Sequence, residues 1–175
     1  MRTLEHRRHS RRDPTGVRLN AAGRSLARSI GAGIARFDRV VTSPKPRAIE
    51  TAEAMGRTVD ATLAGLAEMP DDAGVPMDVL RPRTFSDYAE MVRASSTAAT
   101  YASSQAELWR TELERVPEGG TLLMVSHGGV IELGAVAALP RMAPSWGPAL
   151  GYMEGVRLRW DGRRWASGEV VRIPG

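Results

Sequence analysis

The chain has 175 residues, 42% of them apolar and 25% charged, with a formal net charge of +4 and no cysteine. That balance excludes wholesale disorder and fits a single globular domain over residues 1–175, and the lack of cysteine excludes disulfides, thiolate nucleophiles and thiolate-ligated zinc. Lys45 is the only lysine among the 24 basic residues, and the arginines are scattered among acids, so no nucleic-acid partner is expected. No apolar run is long enough to cross a bilayer and no apolar segment of the secretory type follows the basic start, which points to the cytoplasm and away from a membrane.

Charge crowds the start of the chain, where Glu5, His6, Arg7, Arg8, His9, Arg11 and Arg12 fall in "LEHRRHSRRDP". A first strand ending near His9 would carry Glu5, His6 and Arg7 through positions where a buried strand favours Val or Leu, so a shorter or more peripheral strand is expected unless these charges pair. Residues 17–37 place Leu26, Ile30 and Ile34 at helical spacing behind Asn20, a good N-cap. "DRVVTSP" is a short β-branched run ending in a turn, and "KPRAIETAEAMGR" is a helix with Pro46 suited to its first turn.

The segment 69–84, rich in Pro, Asp and Gly, reads as a long loop, followed by helices near 85–95 and 104–116. Residues 119–139 hold a continuous apolar run, a polar turn and a small-residue helix, the pattern of a strand buried on both faces and the helix after it. Asp161-Gly162 between two partly alternating runs predicts a closing hairpin. Together these elements predict a three-layer α/β/α sandwich with a mostly parallel sheet and an antiparallel hairpin at its C-terminal end.

In such an architecture ligands bind beyond the carboxyl ends of the strands. The segments "RRHS", "TSPKPR" and "SHGG" would all arrive there, bringing Arg8, His9, Arg47 and His127 into one basic pocket. Guanidinium forks match phosphate oxygens, an imidazole can attack phosphorus, and the helix starts after residues 44 and 127 add backbone N–H groups. A metal site built from His6, His9 and His127 is disfavoured, because two histidines three apart on a strand point to opposite faces. A basic arm over residues 7–12 that binds a polyanion is the rival without chemistry.

The motifs in order carry a specific resemblance. Arg8-His9-Ser10, "LNAAG" at 19–23, "SPKPRAIETA" at 43–52 and "SHGG" at 126–129 resemble the histidine phosphatase superfamily, the phosphoglycerate-mutase-like fold. The resemblance implies a metal-independent phosphatase without cofactor, acting on a phosphorylated small molecule or phosphoprotein through a phosphohistidine. It implies His9 as nucleophile, Arg8 and Arg47 as phosphoryl ligands with Ser10 and Gly128 beside them, and His127 as the second pocket histidine. Its proton donor would be Glu68 in "LAE", with Asp71, Asp72 and Glu132 as alternatives. A phosphomutase of the same superfamily is the other enzymatic reading, and the short stretch after Glu68 favours hydrolysis over it. Neither composition nor motif indicates an oligomeric state.

Overall fold

In the computed structural model, residues 1–67, 69 and 83–173 are described. Six strands form one sheet: β1 (Arg2–Arg8), β2 (Arg39–Thr42), β3 (Ala61–Thr62), β4 (Thr121–Ser126), β5 (Gly155–Trp160) and β6 (Trp165–Val171). Their order is β3-β2-β4-β1-β5-β6. The pairs from β3 to β1 are parallel, and those joining β1 to β5 and β5 to β6 are antiparallel. The mixed sheet and its closing hairpin are therefore as expected, with Gly162 in the left-handed region at φ 99° in the turn. None of the described helices is long and apolar enough to cross a membrane.

Five helices cover the sheet: α1 (Ala21–Ala32), α2 (Pro46–Ala54), α3 (Phe85–Ala94), α4 (Ser96–Glu114) and α5 (Val130–Ala138). The alternation along β4 sends Leu122 and Met124 into a core with Trp109 and Leu133, and Leu123 and Val125 into a second core with Ala27, Ala48 and Ala52. Helices α1 and α2 thus lie on one face, and α3, α4 and α5 on the other.

Asn20 caps α1, its side chain accepting a 2.8 Å bond from the Gly23 amide, and Pro46 opens α2. The buried stripe of α1 is Gly23, Ala27 and Gly31, while Leu26, Ile30 and Ile34 flank it half-buried. The small residues matter because a Cβ on Gly23 would lie 2.0 Å from the Arg11 carbonyl oxygen and one on Gly31 2.4 Å from that of Met55. Only glycine lets α1 approach both backbones this closely.

Helix α4 begins eight residues before the expected 104. Its first turns, "STAATYAS", bury Ala98 and Ala102, small residues that leave no strong apolar stripe, and Ser95 caps it.

β1 is a full-length inner strand rather than a short or peripheral one. It tolerates its charges because they are paired in place. His6 faces the α4 side, where its Nε2 shares a 2.7 Å hydrogen bond with Ser126 Oγ and its ring meets Trp109 edge-on. Burial pushes its pKa down to about 3, so it is a neutral core residue. Glu5 and Arg7 face the other way, each 3% exposed. Glu5 accepts from Arg7 at 2.6 Å and from Arg157, its cross-strand partner on β5, at 2.8 Å. Arg157 in turn bonds its own cross-strand partner Glu169 on β6 at 3.0 Å. The charges alternate across three strands, which satisfies each buried group with an opposite neighbour.

Candidate active site

The parallel strands β1, β2 and β4 end at one edge, and each is followed at once by a functional segment. Arg8 and His9 leave β1, Ser43 leaves β2 ahead of Arg47, and His127 leaves β4. The rings of His9 and His127 come within 5.2 Å of each other, centroid to centroid.

His9 is held in one tautomer. Its Nδ1 lies 2.7 Å from the Ser10 carbonyl oxygen, which can only accept, so Nδ1 carries the proton. Nε2 is then the basic nitrogen, and Arg47 Nε donates to it at 3.3 Å. Burial, followed by the charges of Arg47, Arg8 and Arg12, pushes the His9 pKa down to about 4 against the opposing Ser10 bond. The result is a neutral imidazole with its lone pair among positive charges, the state a nucleophile requires.

His127 is also neutral, its pKa lowered to about 3 by burial and then by the charges of Arg47 and its neighbours. Its Nε2 is 2.8 Å from Ser43 Oγ, and that oxygen also accepts the Lys45 amide at 3.2 Å. When the Ser43 hydroxyl donates to Nε2, the His127 proton resides on Nδ1. That nitrogen, like Arg8 Nε, is buried and has no hydrogen-bond partner among the described residues. Buried donors of this kind are costly unless something accepts from them.

Ser10 is wholly buried, and both of its polar groups face the protein: Oγ donates to the Gly23 carbonyl at 2.7 Å and N–H to Thr51 Oγ1 at 2.9 Å. Thr51 Oγ1 donates onward to the Arg47 carbonyl at 2.6 Å. Ser10 thereby ties the His9 turn to α1 and α2, and its hydroxyl is not directed at a substrate. Gly128 lies against Arg8, since a Cβ there would stand in ordinary contact with the guanidinium, at 3.4 Å.

The segment 148–154, which has no motif, supplies a wall of the site. Arg8 Nη1 donates to the Leu150 carbonyl at 2.6 Å, and Arg7 Nη1 to that of Met153 at 2.7 Å. Met153 is the non-glycine residue with positive φ among the described residues, at 64°, a conformation that this clamp helps to hold. The segment presents Tyr152, whose ring lies 4.8 Å from the Arg8 guanidinium and 5.6 Å from the His9 ring. Sequence reading had no signal for Tyr152, because only the tertiary fold brings it to the other residues.

Glu132, one of the alternative acids, is taken up elsewhere. It is 1% exposed, and its two oxygens accept the amides of Gly129 at 2.7 Å and Leu150 at 2.9 Å. It caps α5 and anchors the 148–154 segment, and burial raises its pKa against the pull of those backbone bonds. Glu68, Asp71 and Asp72 lie outside the described residues.

Two members of the basic arm are already engaged by the protein itself. Arg7 is bound as above, and Arg12 spends Nη1 on the carbonyls of Asp13, Pro14 and Gly16. No group of three histidine, aspartate or glutamate side chains placed to hold a metal occurs among the described residues, and His6 lies on the core side of β1, bonded to Ser126.

Comparison with known proteins agrees with this geometry. The family model described as histidine phosphatase superfamily (branch 1) matches residues 2–171. Among solved structures, phosphoserine phosphatase from Entamoeba histolytica in complex with 3-phosphoglyceric acid superposes with a TM-score of 0.71 at 19% identity, over 97% of each chain. A mycobacterial glucosyl-3-phosphoglycerate phosphatase gives 0.72 at 22% identity, over 97% of this chain and 98% of that one. YhfR of Bacillus stearothermophilus gives 0.66 at 21% identity, over 94% of each chain. No curated protein matches the sequence.

Proposed function

The chain belongs to branch 1 of the histidine phosphatase superfamily, and from that premise we propose that it hydrolyses phosphomonoesters through a phosphohistidine on His9. The observation that carries this reading is the pairing of a neutral His9, with its lone pair on Nε2, and two buried nitrogens, Arg8 Nε and His127 Nδ1, that lack a partner among the described residues.

In the proposed first step, Nε2 of His9 attacks phosphorus and the bond to the leaving oxygen breaks. Arg8, Arg47 and His127 hold the phosphoryl oxygens, with Ser10 and Gly128 beside them. Glu68 protonates the leaving oxygen. Water then attacks the phosphohistidine, giving its proton to the Glu68 carboxylate, returning the nitrogen lone pair to His9 and releasing phosphate. Catalysis of this type rests on positioning and on charge arranged before the reaction, and the clamps on Arg8 and the fixed His9 tautomer support both. No metal or cofactor enters these steps.

The substrate is a phosphorylated small molecule or phosphoprotein. Phosphatase names among structures of similar fold, two of them for small phosphorylated carboxylic acids or their sugar conjugates, are consistent with the former. The reading retains a single domain and a cytoplasmic location. It is tested by measuring phosphate release from a panel of phosphomonoesters and phosphopeptides by the wild type and His9→Ala. The wild type is expected to turn over a subset and the variant none; substantial hydrolysis by His9→Ala would overturn the assignment.

A further inference from the structure

Tyr152 has two sides. One faces Arg8 and His9, and the other lines a cleft of about 490 Å³ formed with Arg11, Gly151, Glu154, Arg172 and Ile173. Tyr152 links the cleft to the nucleophile, its ring lying 5.6 Å from that of His9. Its walls are firm: Leu150 is fastened by Glu132 and Arg8, Met153 by Arg7, and Gly151 N–H donates to Glu154 Oε2 at 2.7 Å.

The charges of the cleft do not cancel. Arg172 and Glu154 form an ion pair at 2.6 Å. Arg11 is exposed and has no ion pair or side-chain hydrogen bond among the described residues. After the Arg172–Glu154 pair is set aside, one positive charge remains, borne by a guanidinium suited to a planar or tetrahedral oxyanion.

We propose that this cleft receives the leaving group of the substrate and that Arg11 selects a leaving group carrying a second negative charge, with Tyr152 as the partition between that subsite and the phosphoryl pocket. The proposal rests on the phosphatase reading and extends it from phosphomonoesters in general to those with an anionic leaving group. Arg11 acts here as a specificity residue, distant from the bonds that change.

The test compares kcat/KM for 4-carboxyphenyl phosphate with that for 4-carbamoylphenyl phosphate, which have nearly the same shape and differ in the charge of the leaving group. The wild type is expected to favour the carboxylate. Arg11→Ala is expected to lower the carboxylate-to-amide ratio by about five- to tenfold, in the range of one charge-assisted hydrogen bond, and Arg11→Glu to lower it further. Arg11 is exposed, so the variants are expected to fold, and the ratio is internal to each protein and independent of the fraction folded. A ratio that is unchanged in both variants while hydrolysis persists overturns the subsite and leaves the phosphatase reading standing. A wild type that hydrolyses phosphomonoesters of no kind overturns both.

Discussion

Two stretches of the same strand exit carry nearly the same residue types and reach opposite electrostatic ends. In the middle of β1, Glu5 and Arg7 are joined to Arg157 and Glu169 in a closed sequence of alternating charge. At its end, Arg8 and His9 meet Arg47 and His127, where Arg8 Nη1 donates to the Leu150 carbonyl and Arg47 Nε to the His9 imidazole. The first group is complete without a ligand. The second keeps buried donors for one, and a phosphoryl dianion is the species that would complete it. Local composition therefore does not separate structural from functional charge; the identity of the partner does.

The two groups are also mechanically joined. Arg7 and Arg8 grip two carbonyls of one segment, at Met153 and Leu150, so the closed network holds the wall of the open one. Removing either group should therefore have a distinct signature.

The largest effect is expected from Glu5→Ala, which leaves Arg7 buried without its carboxylate. Loss of one partner from a buried pair costs about 3–5 kcal/mol, measurable as a lowered midpoint in denaturant unfolding. The double variant Glu5→Leu with Arg7→Met should recover much of it, and equal loss in single and double variants would show that the pairing is not what matters. Next, Arg47→Ala should lower kcat/KM by roughly a hundred- to a thousand-fold with little change in the unfolding midpoint, since Arg47 is half-buried at the site. A parallel loss of stability would place Arg47 with the structural group instead.

The smallest effect is in pH dependence. His9 sits at about 4 in the folded protein, so the acid limb of kcat/KM, once the substrate's own ionisation near pH 6 is divided out, should fall near pH 4 and not near 6.5. The same shifts act on stability. His6 and His127 are lowered to about 3 and His9 to about 4, below the unfolded value of 6.5. The unfolded chain thus takes up protons first, and the contribution of neutral histidines is full above 6.5 and shrinks as pH falls toward those lower values. Denaturant midpoints measured at pH 7.5 and pH 5 should differ in that direction.

The open group was legible in the sequence and the closed one was not, for a physical reason. Arg8, His9, Arg47 and His127 stand in ordered motifs, and parallel strands bring strand ends to one edge whatever the register. The Glu5–Arg157 and Arg157–Glu169 pairs depend on which residue lies opposite which, and register belongs to the assembled sheet. Tyr152 was hidden for the same reason, and the start of α4 because Ala98 and Ala102 bury a helix face without an apolar stripe. On α1, Leu26, Ile30 and Ile34 do pack against the core, but the buried stripe beside them was hidden, because Gly23 and Gly31 reveal their role only when the backbones of Arg11 and Met55 lie against them.

The central claim is that His9 is the group that completes its bonding on phosphorus. Rapid denaturation of the enzyme during turnover of a labelled phosphomonoester, followed by peptide mass spectrometry, tests it most directly. The account predicts a phosphoryl group on His9, labile in acid and stable in base, and absent from His9→Ala. Turnover with no phosphorylated protein, or with the label on any other residue, would contradict it.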